Sequence, residues 1–367
     1  MMSPVRHPEP VMPIDHIQDW RERLARQDAF WQREIIDRPV VCLSLPKPRP
    51  PHPPAARRAH AAFRDRWMDA QFVTERALAE VMNRDYLGDA LPTACPNLGP
   101  DLFAAFLGCD LEFAEDTSWS VPCLKTWADA AKVRFSEHGF YWKKLLEMTD
   151  ALLEIGKGKF YTGLTDMHPG GDAIAALRGP EQLSLDMIEA AGEVKALLEY
   201  VNGTFSDVYD FYYEKLSGAG QAFTNWCGIV STRKWHVISN DFSCMISPAM
   251  FDDVFLPGII EECRHLEASI YHLDGPGALP HLDSLLRIEA LNAVQWVPGA
   301  GNGRASDWLP VYRKCQAAGK GLQLTLEPDE VDLFMDSLRP EGLWIWLGGV
   351  TDRGQADAII KKLGKWR

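Results

Sequence analysis

The sequence lacks several features that would assign it to a class at once. It has no apolar run of about 18 residues, as a membrane-spanning helix requires, and its first twenty residues lack the apolar core of a signal peptide. Its eight cysteines include no CxxC pair, which argues against a disulfide framework or a zinc finger. No GxGxxG motif follows a first strand, which argues against a dinucleotide-binding sheet. We therefore expect a cytoplasmic protein with no membrane partner.

Positive charge is also scarce. The chain has 38 Lys and Arg against 51 Asp and Glu, a formal net charge of −13. Phosphate backbones and anionic lipids bind basic patches, so we expect no nucleic-acid partner. With 46% hydrophobic and 24% charged residues in 367, the composition is that of an ordinary globular protein with a large core. A small-molecule substrate is expected, and a homodimer is compatible with this composition.

The N-terminal part predicts helices, one strand and a proline-rich loop. Residues 1–38 have a helical, polar pattern, and the apolar run 39–46 predicts a strand. Residues 47–58, KPRPPHPPAARR, cannot form a helix or a central strand, because proline lacks the N–H donor and fixes φ. We interpret 1–83 as a helical and irregular extension, with this loop or lid, packed on a main fold at 84–367 within one domain.

From residue 159 onward, apolar strands alternate with helices. Each strand is a nearly continuous apolar run, as expected when both faces of a parallel sheet are buried. The predicted strands span 159–168, 221–230, 241–247, 268–275, 291–299, 322–328 and 343–350. One intervening helix begins at Ser247-Pro248, a favoured cap and first-turn pair. This alternation predicts an α/β fold, a (β/α)₈ TIM barrel with an N-terminal helical extension, rather than an open sheet.

Polar side chains follow many of these strands, and the active site of a parallel α/β fold lies where its strands end. Any single one of them could instead cap a helix or bind a loop amide. As a set, they predict a small-molecule site. The predicted catalytic residues are Asp166, His168, Asp241, His272 and Asp274, and the predicted substrate-binding residues are Asn225, Trp226, Gln295 and Trp296. The two tryptophans would form a flat apolar wall for a planar or methylated substrate.

His272 and Asp274 form the sharpest motif. Side chains at i and i+2 of a strand share a face, so both would point into one cavity. Together they could bind a metal such as zinc, with Glu327 as a further ligand and Asp241 as an alternative. They could equally form an acid–base dyad, or the histidine could simply bond a neighbouring loop. Among the cysteines, which we expect to be mostly buried, Cys227 is the best candidate for a reactive thiol.

Two stretches resemble the uroporphyrinogen decarboxylase superfamily. In SNDFSCMISPAMFDDVFLPGIIEECRHLEASIYHLDG (239–275), an aspartate-bearing strand precedes Ser-Pro, a Met-Phe helix start, a Leu-Pro and a strand that ends in histidine. MHPGGDAIAALRGPEQLSLDMIEAAGEVKALLEYV (167–201) resembles the paired helices of that superfamily. The resemblance extends over about 155 to 365 and implies a (β/α)₈ barrel of one of two branches. One branch decarboxylates uroporphyrinogen without a cofactor, and the other comprises cobamide-dependent methyltransferases that use zinc.

The sequence departs from the motifs of both branches. The arginine-rich motif of the decarboxylases corresponds to DRPVVCLSLP, which has only Arg38. The His-x-Cys zinc pair of the methyltransferases corresponds to His272 and Asp274, and their later cysteine falls near LGGV, where there is none. A thiolate site has thus become a harder nitrogen and oxygen site.

The resemblance therefore implies a methyltransferase-like enzyme. It would move a methyl group between a small methylated compound and a corrinoid (cobalamin) on a partner protein, with zinc held by His272, Asp274 and Glu327. One alternative is a metal-free decarboxylase or lyase, in which Asp241 stabilises charge and His272 donates a proton. A second alternative is a non-catalytic barrel that binds a ligand or docks a corrinoid protein.

Overall fold

The computed structural model describes residues 11–53 and 58–366. Its strands are β1 Val40–Pro46, β2 Arg84–Gly88, β3 Thr93–Ala94, β4 Asp110–Phe113, β5 Ser118–Val121, β6 Tyr161–Thr162, β7 Phe223–Thr224, β8 Val230–Ser231, β9 Trp235–Ser239, β10 Ala268–Asp274, β11 Ala293–Val297, β12 Gly321–Leu326 and β13 Leu343–Leu347.

Helices alternate with many of these strands along the chain. They are α1 Trp20–Trp31, α2 Phe63–Met68, α3 Ala70–Met82, α4 Leu102–Phe106, α5 Phe140–Ile155, α6 Gly170–Arg178, α7 Pro180–Glu189, α8 Ala191–Gly218, α9 Pro248–Met250, α10 Leu256–His265, α11 Leu282–Leu286, α12 Leu309–Ala317, α13 Val331–Ser337 and α14 Arg353–Leu363. A π-helical turn at Phe251–Phe255 joins α9 to α10. Short 3₁₀ helices lie at Trp127–Lys132, Asp241–Met245, Pro276–His281 and Ala305–Trp308. Within the described ranges, no helix combines the length and the apolar character needed to span a membrane.

A seven-stranded sheet forms the centre of the fold, in the order β2-β1-β13-β12-β11-β10-β9. Every neighbouring pair is parallel except β1 and β2, which are antiparallel. The short β3 and β6 form a separate parallel pair. Leu164 N, just after β6, donates to Thr224 O of β7 at 2.8 Å. The architecture is thus mixed α/β with a mostly parallel sheet, compatible with a barrel-like α/β fold.

Most of the predicted strands are present. The predictions at 268–275, 291–299, 322–328 and 343–350 are confirmed as β10 to β13. The run at 39–46 is confirmed as β1, so a strand of the N-terminal part lies inside the central sheet. Both faces of these strands are buried, which explains why their sequences are so continuously apolar.

Three other predicted strands differ from the structure, and of the one predicted at 159–168 only Tyr161–Thr162 is a strand, β6. The prediction at 241–247 is wrong, because the strand is β9 and Asp241–Met245 is a 3₁₀ helix. All five residues of β9 are buried, whereas Asp241 is exposed. The predicted strand at 221–230 is an antiparallel hairpin of β7 and β8, joined by a loop that carries Trp226 and Cys227. Of the proline-rich segment, residues 54–57 lie outside the described residues.

Register across the sheet determines which side chains share a face. His272 pairs with Ser239 of β9 and with Gln295 of β11. Gln295 pairs with Gln323 of β12, which in turn pairs with Trp344 of β13. Paired residues of parallel strands project to the same side. We call this side, which carries Ser239, His272, Gln295, Gln323 and Trp344, the site face.

Helix α1 joins the two ends of this arrangement. The amide of Gln27, which is fully buried, accepts from Val230 N at 2.8 Å and from Trp344 Nε1 at 3.2 Å. Its Nε2 donates to Asp89 O at 2.9 Å. One side chain of α1 thus connects the β7–β8 hairpin to β13 and to the end of β2.

Candidate functional site

Two carboxylates and one imidazole converge at the ends of neighbouring strands. One ligand atom from each of Asp241, His272 and Asp274 lies within 4.8 Å of the others. His272 and Asp274 belong to the end of β10, and Asp241 begins the 3₁₀ helix that follows β9. We call these three residues the triad. Because parallel strands end at one edge of the sheet, the short β9–β10 spacing brings the three side chains together.

The triad has the donor chemistry of a zinc site. Zinc accepts imidazole nitrogen and carboxylate oxygen, and a catalytic zinc usually has three protein ligands and one open position. Donor atoms around a tetrahedral zinc lie about 3.4 Å apart, so small rotations of the side chains would close the observed spread of 4.8 Å. The residues therefore fit a divalent ion with nitrogen and oxygen ligands.

Glu327, predicted as a metal ligand, is not in the triad. Its backbone N–H donates to Glu330 Oε2 at 3.0 Å. Its carboxylate lies against Gly348 and Gly349, so closely that a Cβ at either glycine would overlap it. The residue follows β12, two strands away from β10. The triad therefore contains Asp241, the alternative ligand of the sequence analysis, and does not contain Glu327.

A chain of amide hydrogen bonds leads away from His272. Its Nδ1 lies 2.5 Å from Gln295 Oε1. Gln295 Nε2 donates to Gln323 Oε1 at 2.7 Å, and Gln323 Nε2 donates to Cys227 O at 2.7 Å. Gln295, predicted to bind substrate, thus contacts a triad residue directly.

Asp166 and His168 form a second acid–imidazole pair. His168 Nε2 lies 2.8 Å from Asp166 Oδ1, and the histidine is buried. Burial is the largest single influence and lowers the pKa of His168, but the charge and hydrogen bond of Asp166, together with the charges of Asp172 and Glu262, outweigh it and raise that pKa to about 9. The Trp226 ring lies 6.1 Å from the ring of His168 and 5.1 Å from that of His272. The two predicted acid–imidazole pairs therefore flank the same indole.

Sequence reasoning missed Asp172, which extends the site. Ser239 Oγ lies 2.8 Å from Asp172 Oδ2 and 3.2 Å from Asp241 Oδ1, so the serine bridges the two carboxylates. Burial and the charge of Asp241 raise the pKa of Asp172 to about 6. The only signal in the sequence is an acid in the first turn of α6, a position at which acids commonly stabilise helix N-termini.

The remaining predicted substrate residues have different surroundings. Asn225 is buried, and its Oδ1 accepts from Cys227 N at 3.1 Å. Trp226 is 37% exposed and can contact a ligand. Trp296 is nearly fully buried, and its ring lies 4.9 Å from that of Trp308. It also belongs to the lining of the cavity described below.

Cys227 and Arg38, which the sequence analysis singled out, both lie in environments that serve the fold rather than the chemistry of a site. Burial raises the pKa of Cys227 to about 12, so its thiol is protonated at neutral pH and is a poor nucleophile. Arg38 Nη2 donates to Asp89 Oδ1 at 2.9 Å, and the Asp89 side chain is fully buried. The guanidinium is thus committed to an internal ion pair.

A small cavity opens beside the amide chain on the site face. Its volume is about 300 Å³. Among the residues that the structure describes, its lining has no charged side chain and consists of Trp226, Cys227, Gly228, Gln295, Trp296, Val297, Gln323, Thr325, Trp344 and Trp346. The rings of Trp344 and Trp346 are nearly parallel, at 15°, with centroids 6.2 Å apart. Such a cavity suits an apolar or planar group.

Comparison with known proteins supports the fold. No family model and no curated protein sequence matches the chain. Among solved structures, a methyltransferase from Methanosarcina mazei matches with a TM-score of 0.60, over 93% of this chain and 98% of that one. The two sequences are 11% identical, so the likeness shows a shared fold alone.

Proposed function

We propose that this protein is a metal-assisted methyltransferase. It would move a methyl group between a small methylated compound and a corrinoid carried by a partner protein, on a (β/α)₈ barrel. The observation that carries the proposal is the triad, whose three ligand atoms lie within 4.8 Å at the strand ends. The fold likeness to a methyltransferase and the family resemblance of 167–275 support the same reaction class.

The triad would hold one zinc ion. When bound, the ion supplies Lewis acidity to the oxygen, nitrogen or sulfur atom that carries the methyl group. Two carboxylates and a neutral imidazole balance the charge of a divalent ion, so the pocket stays close to neutral. This charge balance suits an uncharged methyl donor better than an anionic one.

The tryptophan-lined cavity would hold the apolar part of the donor. Trp226 lines the cavity and its ring lies 5.1 Å from that of His272, so a group bound there would lie close to the triad. The absence of charged side chains from the lining favours a neutral, apolar or aromatic group. Burial of that group would also exclude water from the methyl carbon.

His168 would supply a proton. When the methyl group leaves an ether as a methyl cation equivalent, the remaining oxygen anion must be protonated. The raised pKa of His168 keeps its imidazole protonated at neutral pH, and Asp166 holds that proton in place. Protonation by His168 would let the alcohol leave, and a reduced corrinoid on the partner protein would supply the electron pair that accepts the methyl group.

Zinc analysis and a methyl-transfer assay test this proposal together. We expect one zinc per chain, and we expect methylcobalamin to form from cob(I)alamin and a suitable methyl ether. Asp274→Ala should lose the zinc and lower the rate by about 100-fold or more, because it removes a ligand. Asp283→Asn, an exposed carboxylate paired with Lys314, is the matched control and should retain both.

The result that would overturn the proposal is full activity in metal-free protein. Release of carbon dioxide from a carboxylated substrate, unaffected by chelator, would instead establish the decarboxylase alternative. A protein that binds zinc at the triad but shows no activity in any of these assays would instead support the second alternative, a non-catalytic ligand-binding barrel.

A further inference from the structure

We propose that Gln295 and Gln323 form an amide relay that fixes the tautomer of His272. The effect of this tautomer on metal binding rests on the proposed function, whereas the tautomer itself does not. The relay is the chain from His272 Nδ1 through Gln295 and Gln323 to Cys227 O. Both glutamines act through His272 and are therefore positioning residues, and neither belongs to the triad.

The direction of the relay is set at its far end. The carbonyl oxygen of Cys227 can only accept, so Gln323 must present its Nε2 to it, at 2.7 Å. The Gln323 amide then offers its oxygen to Gln295, whose Nε2 donates to it at 2.7 Å. Gln295 in turn offers only its oxygen to His272, at 2.5 Å.

Because Gln295 Oε1 can only accept a hydrogen bond, Nδ1 of His272 must carry the proton that it donates. A neutral imidazole carries one proton, so Nε2 of His272 is left with its lone pair free. Neutral histidine in water favours the opposite tautomer, with the proton on Nε2. The relay therefore selects the form in which Nε2 can act as a metal ligand without losing a proton first.

Burial keeps the relay in place. Gln323 is 5% exposed, and the register of β10, β11 and β12 puts the three side chains in one row on the site face. A buried amide that loses its partner is costly, so Gln323 cannot rotate freely, and the half-buried Gln295 is held between Gln323 and His272. Outer hydrogen bonds of this kind typically change metal affinity by about 10- to 100-fold.

The relay also connects the site to the tryptophan-lined cavity. Cys227 follows Trp226 in the loop between β7 and β8, and both line that cavity. The carbonyl that sets the direction of the relay thus belongs to the cavity wall. The metal ligand and the cavity are parts of one hydrogen-bonded unit.

Nitrogen-15 NMR of the metal-free protein tests the tautomer directly. Histidine-labelled protein at alkaline pH should show the Nδ1-protonated pattern for this residue, assigned by its loss in His272→Gln. Gln295→Leu and Gln323→Leu should shift that pattern towards the Nε2-protonated form. Gln316→Leu, at a buried glutamine that bonds Arg339 O, is the matched control and should leave it unchanged.

Zinc titration against a chromophoric chelator gives the second readout. Gln295→Leu and Gln323→Leu should each weaken zinc binding about 10- to 100-fold. Gln295→Glu, which keeps an acceptor for Nδ1–H, should retain the tautomer and most of the affinity. The spectrum of the unmodified protein, assigned with His272→Gln alone, decides the matter even where a leucine variant fails to fold.

The outcomes separate this inference from the proposed function. An Nε2-protonated His272 in the unmodified protein overturns the relay, whatever the zinc result. An Nδ1-protonated His272 that shifts in both leucine variants supports the relay, even in a protein that binds no zinc. In that last case the proposed metal site fails and the relay stands.

Discussion

At the scale of the residue, burial decides which cysteines react. All eight are free thiols, and Cys244 is the exposed one among them. The hydrogen bond from Cys109 lowers the pKa of the half-exposed Cys123 to about 7. Burial raises the pKa of Cys227 to about 12. Because thiolate is the reactive form, these differences should dominate alkylation.

We predict that iodoacetamide at neutral pH modifies Cys123 first, then the exposed Cys244, whose pKa is raised by partial burial, and leaves Cys227 unmodified. Peptide mass spectrometry after timed quenching measures the order. Cys123→Ser should remove the fast phase without changing the slower reaction at Cys244. Early labelling of Cys227 in folded protein would contradict the burial argument and restore this thiol as a candidate nucleophile.

At the scale of the element, α1 holds the cavity-bearing hairpin against the sheet. Gln27 of α1 satisfies two donors, Val230 N and Trp344 Nε1, with one oxygen. Asp28 of the same helix accepts from Ser231 Oγ and Thr232 N, at 2.5 and 3.0 Å. The hairpin has few ladder hydrogen bonds of its own, because β7 and β8 are two residues each.

We predict that Gln27→Leu destabilises the fold by about 2–3 kcal/mol, because it leaves two buried N–H groups without an acceptor. Urea unfolding monitored by tryptophan fluorescence measures the loss. Gln32→Leu, at an exposed position just after α1, should change stability by less than about 0.5 kcal/mol. Equal effects of the two substitutions would refute the role assigned to Gln27.

At the scale of the whole molecule, buried acids set the pH at which the protein is most stable. Burial raises the pKa of Glu262 to about 8, and its Oε1 has no hydrogen-bond partner among the described residues. Because the folded protein binds this proton more tightly than the unfolded chain does, protonation of Glu262 stabilises the folded state. This contribution is complete at a pH below the ordinary pKa of 4.5. That contribution is lost as pH rises through about 8. His168, with a pKa near 9, acts in the same direction.

We predict that Glu262→Gln becomes more stable relative to the unmodified protein as pH rises from 5 to 8.5, by a difference on the order of 3 kcal/mol. The glutamine has no charge to bury, so its stability should depend less on pH. Chemical unfolding at the two pH values measures this. The neighbouring exposed Glu261→Gln is the control, and an equal pH response there would contradict the explanation.

The sequence alone determined much of the fold and the pair at the centre of the site. Four late strands were predictable because burial of both faces makes each a continuous apolar run. His272 and Asp274 were predictable as partners because a strand places i and i+2 on one face. Both inferences use only local periodicity, which a single sequence contains.

The tertiary structure decided everything that depends on packing between distant segments. Asp241 joins the triad and Glu327 does not, because this depends on which strands are neighbours and where each ends. The strand predicted at 241–247 was wrong because Trp235–Ser239 pairs with β10 and takes that place in the sheet. Asp172 and the amide relay depend on side chains from separate elements meeting at hydrogen-bond distance, which no periodicity encodes.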